Sequence, residues 1–325
     1  MSRNATKDLT TGSPMKLILG FGIPLLFGML FQQFYNMMDT IIVGKFLGVS
    51  ALASVGATGS INFMIIGFCM GVCNGFAIPV AQRFGAKDEH GMRKFVANSV
   101  WLSIIFAVVM AVLVCVFCRQ ILELMNTPED IIDGSYSYIF VIFLGIPATY
   151  MYNLLSGIMR SLGDSKTPLY LLIFSSILNI ILDLLSIIVL KMGVAGAAWA
   201  TVIAQAVSGF CCLGVIWKKF PILHVQREEW QPDKLCILNL CNMGIPMGLQ
   251  YSITAIGSVI IQAAVNSLGS VAVASVAAAV KINMFLCCPY DAMGSTMATY
   301  AGQNVGAGKF DRLKQGEKSC TLLGL

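Results

Sequence analysis

Charge is what this sequence has least of. Lys, Arg, Asp and Glu make up 11% of its 325 residues, against about 25% in ordinary globular domains. A water-soluble core of this size needs a charged shell, so the scarcity excludes that class. Histidine is nearly absent too: His90 and His224 both fall in polar loops, and no histidine-based metal site is visible. Of the eleven cysteines, most (Cys69, Cys73, Cys115, Cys211, Cys212, Cys287, Cys288) lie inside apolar runs as small buried side chains. Ser, His and Asp gather into no hydrolase-like signature. No cofactor and no enzymatic activity are expected.

What fills the chain is hydrophobic residues, 57% of it, with a mean hydropathy of +0.79. Apolar runs of 20 residues or more recur, each long enough to cross a hydrocarbon core of about 30 Å as a helix. Eight crossings are expected at 15–43, 50–80, 95–118, 135–158, 168–190, 194–217, 237–262 and 271–301, with a ninth beginning near Ser319. The first run is too long for a signal-peptide core and has no small-residue cleavage site. The sequence is that of an all-α polytopic membrane protein.

Orientation follows from the basic residues. With the N-terminus inside, the inner segments hold 17 Lys and Arg, among them Arg83, Lys87, Arg93, Lys94, Arg160 and Lys166. The outer segments hold three, Lys45, Arg119 and Lys191. The N-terminus is therefore expected in the cytoplasm, and the net charge of +5 reflects topology rather than a nucleic-acid partner.

The chain also repeats itself. "GIPLLFGML" at Gly22 matches "GIPMGLQYS" at Gly244, 222 positions on. "ALASV" at Ala51 matches "AVASV" at Ala272, and "QRFGA" at Gln82 matches "QNVGA" at Gln303, both 221 positions on. The unit holds six spans, an even number, so both copies keep one orientation, as in parallel-repeat transporters. The expected organisation is an N-terminal lobe at 1–219, a cytoplasmic linker at 220–235 and a second lobe at 236–325. A complete second copy would run to about residue 440 by the same spacing, so the second lobe is expected to be truncated.

Charges at membrane depth are costly, about 2.5–3.5 kcal/mol each, and four occur: Asp39, Asp183, Lys281 and Asp291. Asp183 and Thr201 lie symmetrically about the outer turn at Met192, both about 13 Å below the surface at about 1.5 Å per residue. Asn36 and Asp39 precede Lys45 by similar intervals, so these groups share a layer. Asn179 and Asp183 are four apart on one helix face. With Asp39 and Thr201 they make an oxygen-rich cluster suited to a hard monovalent cation or a shuttled proton. The competing reading is a structural hydrogen-bond network between helices. Gln33 and Asn36 lie on the turns before Asp39. Pro24, fifteen residues before Asp39, either kinks the first span statically or lets it hinge. The 18 Met and 19 Phe would supply an adaptable apolar cleft, although most must be core or lipid-facing.

"GIPLLFGMLFQQFYNMMDTIIVG", "RSLGDSKTPLYLLIFSSILNIILD", "GVAGAAWAT" and "AGQNVGAG" together resemble the multidrug and toxic compound extrusion (MATE) family over the whole chain. The resemblance implies two six-helix bundles around a central cleft and export of small organic, often cationic, compounds in exchange for Na⁺ or H⁺. It implies a location in the plasma (inner) membrane. It makes Asp39 the first-helix coupling carboxylate, and Asp39, Asn179, Asp183 and Thr201 the ligands of Na⁺ if sodium is used. Tyr138 and Asn153 match positions lining the same lobe. One departure is that the seventh helix has no carboxylate and offers Gln250 and Thr254, which places coupling in the N-terminal lobe. A flippase for a lipid-linked precursor is the alternative, for which a basic cavity is expected. A membrane scaffold or enzyme is the third reading. Asp291 and Lys281, ten apart, are too distant for direct contact along one helix, and their roles stay open.

Overall fold

A peptide group in hydrocarbon finds no water to bond, so a lipid-spanning chain must satisfy its backbone within itself. Among the described residues the chain does so with helices. A computed structural model describes residues 6–125, 127–266 and 270–324, without the side chains of residues 259, 262–266, 270–278 and 280–282. Twelve α-helices and no strand occur among the described residues. They are α1 (Pro14–Leu47), α2 (Val49–Ala57), α3 (Gly59–Gly85), α4 (Glu89–Val116), α5 (Cys118–Leu124), α6 (Glu129–Leu144), α7 (Ile146–Ser161), α8 (Lys166–Leu184), α9 (Gly193–Lys219), α10 (Lys234–Asn266), α11 (Ser270–Gly306) and α12 (Phe310–Gly324). Five helices among the described residues are long and apolar enough to cross a membrane, and α6 with α7 makes a sixth.

Several expected spans are interrupted. The second, expected as one helix at 50–80, breaks at Thr58, whose hydroxyl donates to the Val55 carbonyl at 2.7 Å, and α3 then runs on to Gly85. The fourth is bent by 46° between α6 and α7, where Gly145 is followed by Ile146 and Pro147, and proline provides no N–H to carry a helix across. The fifth ends in a π turn, Leu185–Val189. The ninth starts at Phe310 rather than near Ser319, because the polar stretch from Asp311 to Lys318 is already helical. Helix α1 continues past 43 to Leu47 and stops at Gly48, whose φ of +88° a side chain would resist.

The packing carries out the symmetry of the repeat. Helix α10 copies α1, and α11 copies α3; α10 packs on α3 as α1 packs on α11. At one end of the bundle the matched motifs cross each other. A Cβ on Gly85 would strike the Gln303 carbonyl, and a Cβ on Gly306 would strike the Gln82 carbonyl. Each glycine thus admits the backbone of the other copy's glutamine. The N-terminal segment fastens this end. Lys7 N–H donates to the Leu162 carbonyl at 2.8 Å, Leu9 N–H to Gln303 Oε1 at 2.9 Å, and Lys309 Nζ to the Thr10 carbonyl at 2.9 Å. Gln303 Nε2 in turn donates to the Ser161 carbonyl at 2.8 Å, so one side chain joins α11, α7 and the N-terminal segment.

Candidate functional site

The turn between α8 and α9 builds the first half of the site. Lys191 and Gly193 adopt φ of +51° and +62°, and Met192 N–H donates to the Ser186 carbonyl at 3.0 Å. This tight reversal lays α9 back along α8 and sets Thr201 opposite Asn179. The network assigns the Asn179 amide: its nitrogen donates to Asp183 Oδ2 at 3.1 Å, and its oxygen faces the Thr201 hydroxyl at 3.3 Å. Asn179 and Asp183 are 2% and 0% exposed. The π turn follows Asp183 directly, and such turns are frequent at functional sites because they loosen the regular carbonyl ladder.

Helix α1 brings the second half. The Asp39 carboxyl comes within hydrogen-bonding reach of Asp183. Each of the two acids leaves its Oδ1 buried with no partner. A buried acceptor without a donor is expensive, and two facing carboxylates add repulsion. One positive charge relieves both, either a proton shared between the acids or a cation held by their oxygens with those of Asn179 and Thr201. Among the described residues no three His, Cys, Asp or Glu side chains cluster. Two acids with neutral oxygens match a monovalent cation better than a divalent one, which gathers six or more oxygens.

Tyr35, which sequence reasoning missed, joins the cluster: its hydroxyl reaches Thr201 beside Asp39. The signal was available, since Tyr35 and Asp39 are four apart on one helix face. Tyr138 is buried within electrostatic range of Asp39, Asp183 and Tyr35. The other candidates stand differently. Asn36 is exposed, and its carbonyl accepts from the Thr40 hydroxyl at 2.9 Å. Asn153 donates its amide to the Thr149 carbonyl of its own helix at 2.8 Å, and Gln33 is half-buried. Pro24 lies inside a continuous α1, where its missing N–H leaves the Gly20 carbonyl without its helical donor.

A cavity of about 290 Å³ opens between α3, α7, α10 and α11. Its walls carry Asn74, Arg160, Gln250, Tyr251, Asp291 and Thr299. Arg160, expected in a polar loop, instead ends α7 and faces the cavity, because α7 continues through it to Ser161. The Lys281 side chain lies outside the described residues, and Asp291 is exposed to the cavity.

The MatE family model matches residues 24–185 and 246–325. The chain is 32% identical over 305 residues to the probable multidrug resistance protein YoeA of Bacillus subtilis, covering 91% of this chain and 65% of that protein. It is 30% identical over 308 residues to the probable multidrug resistance protein YpnP of Bacillus subtilis, covering 94% and 68%. The chain thus spans about two thirds of the length of these relatives. Among solved structures it superimposes on an outward-facing multidrug resistance MATE family transporter of the MOP superfamily. That match has a TM-score of 0.90 at 25% identity and covers 97% of this chain and 70% of the other.

Proposed function

The chain belongs to the MatE family, and on that premise we propose that it exports small organic compounds in exchange for Na⁺ or H⁺. The carrying observation is the meeting of Asp39 and Asp183, each with a buried unpartnered oxygen, beside Asn179 and Thr201. Two facing acids at membrane depth are costly to keep, and a positive charge that enters and leaves the pair gives that cost a function. Cation entry from outside neutralises the pair; its release restores a negative charge that competes for a cationic substrate.

The protein sits in the plasma membrane with its N-terminus in the cytoplasm, a reading supported by the 17 inner against three outer basic residues. Residues 1–219 form the coupling lobe, 220–235 the cytoplasmic linker and 236–325 the facing part of the second lobe. The end closed by the crossed glycines is then the cytoplasmic one, and the cleft faces outward. Labelling of single cysteines tests this: reaction of the 83–94 loop from outside would reverse the orientation.

The lipid-linked flippase reading expects a basic cavity, whereas the cavity walls carry one guanidinium and one carboxylate. Dye efflux from vesicles, with Na⁺ and pH gradients imposed separately, tests the function. Efflux that responds to neither gradient would remove the antiport reading.

A further inference from the structure

Arg160 and Asp291 face the same cavity, and among the described residues neither has an opposite charge in contact with it. The guanidinium of Arg160 donates from Nη2 to the neutral Asn74 carbonyl oxygen at 3.1 Å. Among the described residues no carboxylate stands within 4.0 Å of it, and none of the ionisable groups facing it, Tyr152, Tyr251, Cys73 and Cys212, is a carboxylate. Asp291 likewise faces no cation among the described residues. Tyr251 lines the same cavity, its hydroxyl at Asn74 and within electrostatic range of both charges.

An arginine with one neutral partner keeps most of its five donors free in the planar fork that matches an oxyanion. A carboxylate across the cavity is the complementary acceptor for an ammonium. At about 290 Å³ the space is at the lower limit of ligand pockets, roughly 300–1,000 Å³. We propose that this cavity is a binding site for small organic zwitterions, with Arg160 taking the carboxylate or phosphoryl group and Asp291 the amine. A purely cationic compound would leave the Arg160 charge facing it unpaired; a zwitterion satisfies both walls. The proposal rests on reading the cleft as the substrate path and adds the substrate class; it does not depend on the coupling ion.

The test is equilibrium binding to the chain in lipid nanodiscs at pH 7, without any gradient, so a failure here leaves the coupling experiment above untouched. The probes share one aromatic frame: 4-(aminomethyl)benzoate, its phosphonate analogue, 4-methylbenzylamine and 4-methylbenzoate. At least one zwitterion is expected to bind about ten-fold tighter than the amine or the acid alone, as for one added charged hydrogen bond. The carboxylate and phosphonate probes distinguish the two oxyanions. Arg160→Gln should erase the preference over 4-methylbenzylamine. Asp291→Asn, at an exposed wall position, should erase the preference over 4-methylbenzoate, and it decides alone if Arg160→Gln does not fold. Zwitterions binding no tighter than the amine, or a preference that survives Asp291→Asn, would overturn the proposal.

Discussion

Asp39 of α1 and Asp183 of α8 bring their carboxyl groups within hydrogen-bonding reach of each other, and each keeps one oxygen buried without a partner. Each acid is the main electrostatic neighbour of the other, so they are expected to act as a unit. Asp39→Asn and Asp183→Asn should each insert normally and abolish cation-driven efflux, since Asn keeps the size but cannot ionise. The double variant should be hardly worse than either single one. Efflux under an imposed gradient, with surface expression as control, reads this out. Wild-type rates in both single variants would reduce the pair to a structural contact.

Asn179 presents both ends of its amide to the cluster. Its nitrogen donates to Asp183; a bound cation would favour its oxygen there instead. Asn179→Leu removes a ligand and a donor together, whereas Thr201→Val removes one hydroxyl. Each is expected to raise the half-saturating cation concentration, Thr201→Val by about ten-fold, equivalent to one hydrogen bond of about 1–1.5 kcal/mol. An unchanged cation dependence in Thr201→Val would take that residue out of the site.

These residues differ in how openly the sequence displays them. Asn179 and Asp183 are readable because a four-residue spacing fixes a shared helix face, and Thr201 because a short turn forces it to the same depth. Arg160 is not: a basic residue beside "SLGD" has the composition of a loop, and only the helix length of α7 carries it into the cavity. The break at Thr58 is invisible to hydropathy, although Gly56 and Gly59 flank it. The repeat identifies Gln82 with Gln303, yet a repeat says nothing about which copies touch. Their crossing is set by tertiary packing alone.

That crossing predicts a conformational effect. A methyl group on Gly85 or Gly306 meets a carbonyl of the opposite copy rather than the end of a flexible side chain, so the closed end must separate to admit it. Gly306→Ala should therefore favour opening of this end. Ala81, buried where it abuts Gly302, is the reporter: Ala81→Cys, with native cysteines replaced, should become alkylatable in the Gly306→Ala background. Equal protection in both backgrounds would mean that the backbone shifts locally without opening.

The linker makes the remaining prediction. Glu229, 1% exposed, accepts from Arg93 Nε at 2.9 Å on both carboxylate oxygens and from Gln226 N–H at 2.8 Å. His90 Nδ1 lies 2.8 Å from it, and the Trp101 indole donates to the Trp230 carbonyl at 3.1 Å. Burial pushes the Glu229 carboxyl up, but the Gln226, Arg93 and His90 hydrogen bonds and the Arg93 charge outweigh it, holding the group below the usual glutamate range. A depressed folded value means that the stabilisation is complete above the unfolded value of about 4.3 and is lost as pH falls through the folded one. The clasp between linker and α4 should therefore hold from neutral pH down to about 4 and open only in stronger acid. Arg93→Met, which leaves the acid buried and unpaired, should cost about 3 kcal/mol, whereas removing the exposed His90 ring should cost less than about 1 kcal/mol. Fluorescence of a variant retaining only Trp101 and Trp230, with Trp199 and Trp217 replaced by Phe, follows the clasp directly. A change centred below the unfolded glutamate value of about 4.3, absent in Glu229→Gln, is the expected result. A change that persists unaltered in Glu229→Gln would take this carboxyl out of the clasp, and the Glu229 reading would fall.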